Sequence, residues 1–167
     1  MEIYSYSPKS GNSKTKLLVF SLLALAVAVV IVGGLLPAYK GVLQAAGFVV
    51  AIVSVMLCAR FIMTSYTYIV EDGDSEGRCD FVIKEARGGR TRTVCRIEIS
   101  GSALYMESDG RAVPKGEVYD YRPSLFVSPV YRLCANERDG GGSVRFCADD
   151  ELIELLLMLG TKKKWDK

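Results

Sequence analysis

The sequence predicts a membrane α-hairpin followed by a mostly-β domain, a strongly bent antiparallel sheet or barrel of about seven strands capped by one C-terminal helix. Three observations carry this fold class. No charged side chain lies between Lys16 and Lys40, and none lies between Lys40 and Arg60. From Thr64 onward the apolar residues alternate with polar ones, the period of half-buried strands. The last alternating segment runs straight into Asp149-Asp150-Glu151-Leu152, an acidic start to a leucine-rich helix.

Residues 1–16 read as a cytosolic N-terminal tail. Gly11-Asn12-Ser13-Lys14-Thr15 echoes part of a phosphate loop but lacks the preceding glycine and strand, so it reads as flexible juxtamembrane chain. Residues 17–63 form the hairpin, with spans at 17–36 and 41–63. Each is long enough for roughly 30 Å of hydrocarbon at about 1.5 Å per residue. A cleaved leader has an apolar region of only about 7–15 residues and a small-x-small end, whereas this run ends Leu36-Pro37-Ala38-Tyr39. Two soluble core helices apolar on all sides would need more covering chain than follows.

The short turn forces the spans antiparallel, and without a hydrophobic drive in lipid their association depends on close packing of small residues. Gly47, Ala51, Ser54 and Cys58 recur on one face of the second span. Gly33-Gly34 and the Ala24/Ala28 pair are the expected answering positions in the first. Neither span carries a mid-membrane charge, which argues against an ion or proton pathway. Lys9, Lys14, Lys16 and Arg60 flank the hairpin while Lys40 alone sits in its turn. The positive-inside bias predicts both termini and the β domain in the cytoplasm, on the cell membrane.

The β domain is expected over 64–160. Thr64 to Glu71 is a first strand, Cys79 to Ala86 a second and Thr91 to Ser100 a third. Cys79, Phe81 and Ile83 must share a face with Cys95, Ile97 and Ile99, and a two-residue Gly88-Gly89 loop would mix those faces. The spacing therefore predicts an odd loop, most simply of three residues, with a glycine in a left-handed bulge. Ser102 to Met106, Val118 to Arg122, Pro129 to Asn136 and Ser143 to Ala148 follow as strands. A two-residue Gly140-Gly141 turn would join the last two and set Cys134 opposite Cys147; whether that pair is bonded stays open. The terminal helix spans 149–160, stopped by Gly160, and 161–167 form a basic tail.

Short antiparallel strands closed by one C-terminal helix, with the Phe146-Cys147-Ala148-Asp149-Asp150-Glu151-Leu152 join, resemble the pleckstrin-homology (PH) superfold over roughly residues 66–160. With two preceding spans, the whole resembles the membrane-anchored bacterial PH-like domain proteins. The resemblance implies an inner-membrane protein that works by recognition. The chloroplast and cyanobacterial photosystem assembly factors share the layout, without a residue-level match.

The chain contains no histidine, which removes the commonest general base and the Ser-His and Cys-His arrangements. Its five cysteines show no Cys-x-x-Cys spacing, so no metal site is expected, and thiols facing the cytosol stay reduced. No catalytic residue, cofactor or nucleic-acid partner is expected. Lys84, Arg87, Arg90, Arg92 and Arg96 form a candidate lipid- or partner-binding hairpin, against the alternative of a solvated basic face. Its Lys-x5-Arg-x-Arg spacing resembles the phosphoinositide-binding pattern of eukaryotic PH domains, displaced onto later strands. Lys162, Lys163, Lys164 and Trp165 are a second candidate for contact with the inner leaflet. Tyr105, Tyr119 and Tyr121 with Asp109, Asp120 and Arg111 form a possible rim for peptide recognition. The expected function is a non-catalytic, membrane-tethered binding or scaffolding module for a protein partner or anionic lipid head groups. The alternative is a small subunit or assembly factor contacting a larger membrane complex through its helices; self-association stays open.

Overall fold

The computed structural model describes residues 1–73, 78–107, 117–135, 142–159 and 162–163, the last pair and Pro37 by backbone alone. The chain divides into two compact units, one of residues 10–64 with 124–126 and one of the remainder.

The helical unit consists of α1 (Ser13–Leu35), a 3-10 turn at Pro37–Tyr39 and α2 (Lys40–Phe61). Its start corrects the reading of residues 1–16 as a tail. Asn12 is the N-cap of α1, its Oδ1 accepting the Thr15 amide at 2.9 Å, which satisfies one of the helix's orphan donors. The Thr15 and Ser124 hydroxyls lie 2.7 Å apart and are both buried. The side-chain amide of Asn12 donates to the Phe126 carbonyl.

Val19, Ala26 and Gly33 are buried along α1, and Gly47, Ser54 and Phe61 along α2, each set at every seventh position. Such a period winds two helices around each other left-handedly. A Cβ on Gly47 would sit 2.6 Å from Val30 Cγ2, and one on Gly33 would sit 2.8 Å from Leu43 Cβ, so both glycines mark close approach. Ala24, Ala28 and Gly34 are exposed, so Ala26 and Gly33 take the packing role expected of them. The outward faces are apolar: Phe20, Phe48, Ile52 and Met56 are each at least 60% exposed. Both helices are long and apolar enough to cross a membrane.

The second unit is mostly β. Its first sheet has the order β1-β2-β3-β4, from Glu2–Tyr6, Thr64–Asp72, Cys79–Arg87 and Arg90–Glu98. Strand β1 was read as tail; it pairs antiparallel with β2, Tyr6 opposite Tyr68 and Glu2 opposite Glu71. Its alternating Tyr4 and Tyr6 pack against the core, a two-residue period too short to stand out from sequence.

In the β3–β4 hairpin, Phe81 lies opposite Ile97 and Ile83 opposite Cys95, the facing predicted. The loop, however, holds two residues, because Arg87 pairs with Arg90. Gly88 and Gly89 have φ of 57° and 79°, the pair of positive angles that a type I′ turn demands. The surplus residue needed for matching faces is absorbed inside β4: the register slips between Ile83/Cys95 and Lys84/Thr93, leaving Val94 as a bulge.

The second sheet has the order β6-β8-β7-β5-β9, from Val118–Asp120, Ser143–Phe146, Tyr131–Cys134, Ala103–Met106 and Lys162–Lys163. Here the expected Gly140-Gly141 turn lies outside the described residues, but the ladder differs from the one it implies. Leu133 pairs with Val144 and Cys134 with Ser143, a slip of four residues that keeps every face and separates Cys134 from Cys147. All five cysteines are thiols. The two sheets do not close into a single barrel among the described strands.

Helix α3 (Asp150–Met158) is capped by Asp149, whose Oδ1 accepts the Leu152 amide at 3.0 Å; the expected stop at Gly160 lies outside the described residues. It buries Leu152, Ile153 and Leu156 against Tyr68, Phe81, Leu104, Leu133 and Phe146. Phe146 is the hub, its ring centroid 5.0 Å from Phe81 and 5.6 Å from Tyr68. Strand β1 is tied to the helix start by the Tyr4 hydroxyl, which donates to Asp149 at 2.9 Å and Glu151 at 3.2 Å.

Candidate functional site

Register sorts the predicted basic cluster into two faces. Glu85 pairs with Arg92 and Arg87 with Arg90, so these four share one face of the β3–β4 hairpin. Arg96, opposite Val82, projects from the other, as does Lys84 opposite Thr93. The five residues expected to act together do not form one patch.

Electrostatics divides them further. Arg96 binds Glu71 and Asp80, the latter at 3.2 Å, and Arg92 binds Glu85 at 2.7 Å. These are half-exposed structural ion pairs. Arg87 and Arg90 are exposed and have no acidic partner among the described residues. Directly opposed like charges on a strand pair are unfavourable, so the turn carries uncompensated positive charge. Glu85, Arg87, Arg90, Thr91 and Arg92 line a shallow groove there. The two glycines at its tip leave the backbone uncovered. Such a groove presents two guanidinium forks to an anion, with a third held by Glu85.

The remaining predicted residues are dispersed. Lys162 and Lys163 run parallel to Ala103 and Leu104 as β9, while Lys164 and Trp165 lie outside the described residues. Gly47 and Ser54 are buried, Ala51 and Cys58 half-buried. The tyrosine rim does not assemble as one surface. Tyr121 turns inward, its ring 5.7 Å from Tyr66 and its hydroxyl donating to the Val94 carbonyl. Tyr119 is exposed and donates to Glu117 at 2.6 Å. Asp109 and Arg111 lie outside the described residues.

A second group was half anticipated: Tyr105 and Asp120 belong to the expected rim, while Arg132 and Arg145 were not singled out. Tyr105, Arg132, Arg145 and Asp120 stand side by side across β5, β7, β8 and β6. This row faces away from Leu104, Leu133, Val144 and Phe146, which are in the core. Asp120 accepts both a side-chain fork and the backbone amide of Arg122, and Arg145 reaches Glu107 and, at 3.8 Å, Asp120. Burial works to raise the Asp120 pKa, but its bonds to Arg122 and the nearby Arg145 outweigh it and hold the carboxyl below the ordinary range. The signal was the arginine at matching positions of two strands, hidden because the expected turn set Arg132 four residues out of register. Comparison with protein-family models, curated proteins and solved structures finds no match.

Proposed function

We propose that the chain is a non-catalytic binding module, tethered to the cytoplasmic face of a cell membrane by its two helices and presenting a PH-like domain to anionic head groups or a protein partner. The observation that carries this reading is the uncompensated Arg87/Arg90 pair at the hairpin tip. Strand β2 begins directly after α2, and the Ser65 hydroxyl meets the Ala86 carbonyl at 3.5 Å. Chain contour alone, at no more than about 3.6 Å per residue, keeps Ser65 within about 14 Å of the end of α2. The arginines follow Ala86, which lies beside the strand that the tether leads into. Each arginine near an anionic surface is worth about 1 kcal/mol, and the attraction fades within a Debye length of roughly 10 Å. The apolar, outward-facing surfaces of both helices support the tether, since such helices need either protein or lipid around them. The succession of strands β2 to β8 followed by the capped helix α3 supports the PH-like reading.

The test is hydrogen exchange of the full chain in nanodiscs of phosphatidylcholine alone and with phosphatidylglycerol. Amides of 84–93 are expected to exchange more slowly with the anionic lipid, and Arg87→Gln/Arg90→Gln to abolish that difference. Equal exchange in both lipids for the wild type would overturn the head-group reading.

The second reading is a small subunit or assembly factor held by its helices, and the groove of Leu23, Ala26, Val27, Val30, Ile31 and Phe48 beside Gly47 favours it. Because Gly47 and Ser54 face α1 itself, substitutions there would break the hairpin and mimic loss of a partner. Phe48→Ala/Ile52→Ala, on the outward face, is the discriminating variant: loss of co-purifying membrane proteins supports this second reading.

A further inference from the structure

We propose that the outer face of the second sheet is a docking surface for a carboxylate-rich peptide segment of a partner protein, with Arg132 as its anchor. It takes from the preceding section only the reading as a binding module, and it concerns a different surface. The row Tyr105-Arg132-Arg145-Asp120 contains two arginines directly opposite one another, an unfavourable pairing unless negative charge is supplied. Glu107 and Asp120 supply it to Arg145, and Asp120 is shared with Arg122. Arg132 receives none from the described residues.

Arg132 is nevertheless held in place. Its Nε donates to the Ser143 hydroxyl at 2.9 Å, and that buried hydroxyl in turn donates to the Glu117 carbonyl at 3.2 Å. With Nε fixed, the two terminal amino groups form a pre-oriented planar edge, the geometry that accepts a carboxylate through two parallel hydrogen bonds. Fixing the side chain beforehand removes part of the ordering cost of binding. Arg145 Nε is enclosed without an acceptor among the described residues, so the network is not saturated by them.

Neighbours decide the class of occupant. Tyr105 stands beside Arg132, its phenol a hydrogen-bond donor at neutral pH; burial pushes its pKa further above the ordinary value. Val118, more than two-fifths exposed and on the same face of the adjoining edge strand as Asp120, adds apolar surface. A half-buried arginine between a tyrosine and a charge-balanced network has little long-range field to draw it to a bilayer. It fits a side-chain carboxylate arriving on a peptide whose other residues rest on the aromatic and apolar neighbours.

The experiment is fluorescence anisotropy of the full chain in detergent with a fluorescein-labelled peptide of alternating glutamate and leucine. Wild type is expected to bind, and Arg132→Gln to weaken binding roughly tenfold or more, the value of a charge-assisted fork. Arg132→Lys should weaken it several-fold, because charge remains while the fork is lost. Tyr105→Phe, which leaves packing and the Arg132–Ser143 bond intact, should weaken it modestly and keeps the test open should Arg132→Gln misfold. Arg78→Gln, which removes one exposed charge beside the first sheet, should leave binding unchanged. The hairpin reading is tested separately by its lipid-dependent exchange, so failure of that reading and failure of this one are distinguishable. No binding by wild type, equal binding by Arg132→Gln, or a loss in Arg78→Gln as large as in Arg132→Gln would each overturn the proposal.

Discussion

At the residue scale, small side chains and fixed carboxylates decide more than the prominent charges. Gly47 and Gly34 are both helical glycines of the hairpin, the second in the last turn of α1, yet a Cβ at Gly47 meets Val30 at 2.6 Å and the Ala26 carbonyl at 3.1 Å, while one at Gly34 meets nothing within 4 Å. Gly47→Leu is therefore expected to destabilise the helix pair by about 1–3 kcal/mol through overpacking, and Gly34→Leu by less than about 0.5 kcal/mol. Thermal unfolding of the full chain in mild detergent measures both; equal effects would contradict the packing. Asp120 gives a pH-dependent counterpart. Its folded pKa lies below the ordinary 3.8, so the stabilisation is fully present above the unfolded value and is lost as pH falls through the folded one. Asp120→Asn should cost roughly 1–2 kcal/mol near neutral pH, through loss of charge-assisted bonds to Arg122 and Arg145. The gap to wild type should close as pH drops from about 5 toward 2, read from denaturant midpoints; a gap independent of pH would point to lost packing instead.

At the element scale, the two departures from sequence expectation share a cause. Facing was readable from composition: Phe81, Ile83, Ile97 and Ile99 point inward because only that parity buries them. Where the odd residue goes was not readable, since a bulge at Val94 and a three-residue loop satisfy parity equally; turn energetics chose the two-glycine I′ turn. The consequence is chemical, because the bulge puts Arg92 opposite Glu85 and Arg90 opposite Arg87. Likewise a slip of four residues in β7–β8 changes no face, so hydrophobic pattern could not exclude it, yet it creates the Arg132/Arg145 pair and separates Cys134 from Cys147. Strand β1 was missed because its partner, β2, lies beyond both helices in sequence, and a lone five-residue polar-aromatic segment carries no helix or hairpin signal. Deleting residues 1–6 should bare the β2 edge and remove the Tyr4 bonds to Asp149 and Glu151. The expected result is a lower unfolding temperature together with concentration-dependent association in size-exclusion chromatography, as uncovered strand edges pair between chains. A monodisperse, equally stable truncation would mean that β1 contributes nothing to the sheet.

At the scale of the whole molecule, β1 bears on topology more strongly than charge counting does. Positive-inside reasoning rests on Lys9, Lys14, Lys16 and Arg60 against Lys40, a small bias that added charges can reverse. The β1–β2 ladder is a different kind of constraint. Strand β1 precedes α1, β2 follows α2, and Tyr6 pairs with Tyr68 and Ser5 with Ile69. A hairpin of spans whose two ends lead into one sheet must have both ends on one face of the bilayer, because strand pairing across hydrocarbon would leave backbone groups unsatisfied. Splitting the ends would also strip β2 of its neighbour and break the tie from Tyr4 to the start of α3. The termini are thus predicted to stay together even when charge is rearranged. With protease-cleavable tags at both ends, right-side-out and inverted vesicles should show both tags cut from the cytoplasmic side only. In Ala38→Lys/Gly41→Lys, where the turn gains positive charge, both tags should again be cut from one side, whichever side that is. A variant with its tags on opposite faces would show that charge, and not the β1–β2 pairing, sets the arrangement of this chain in the membrane.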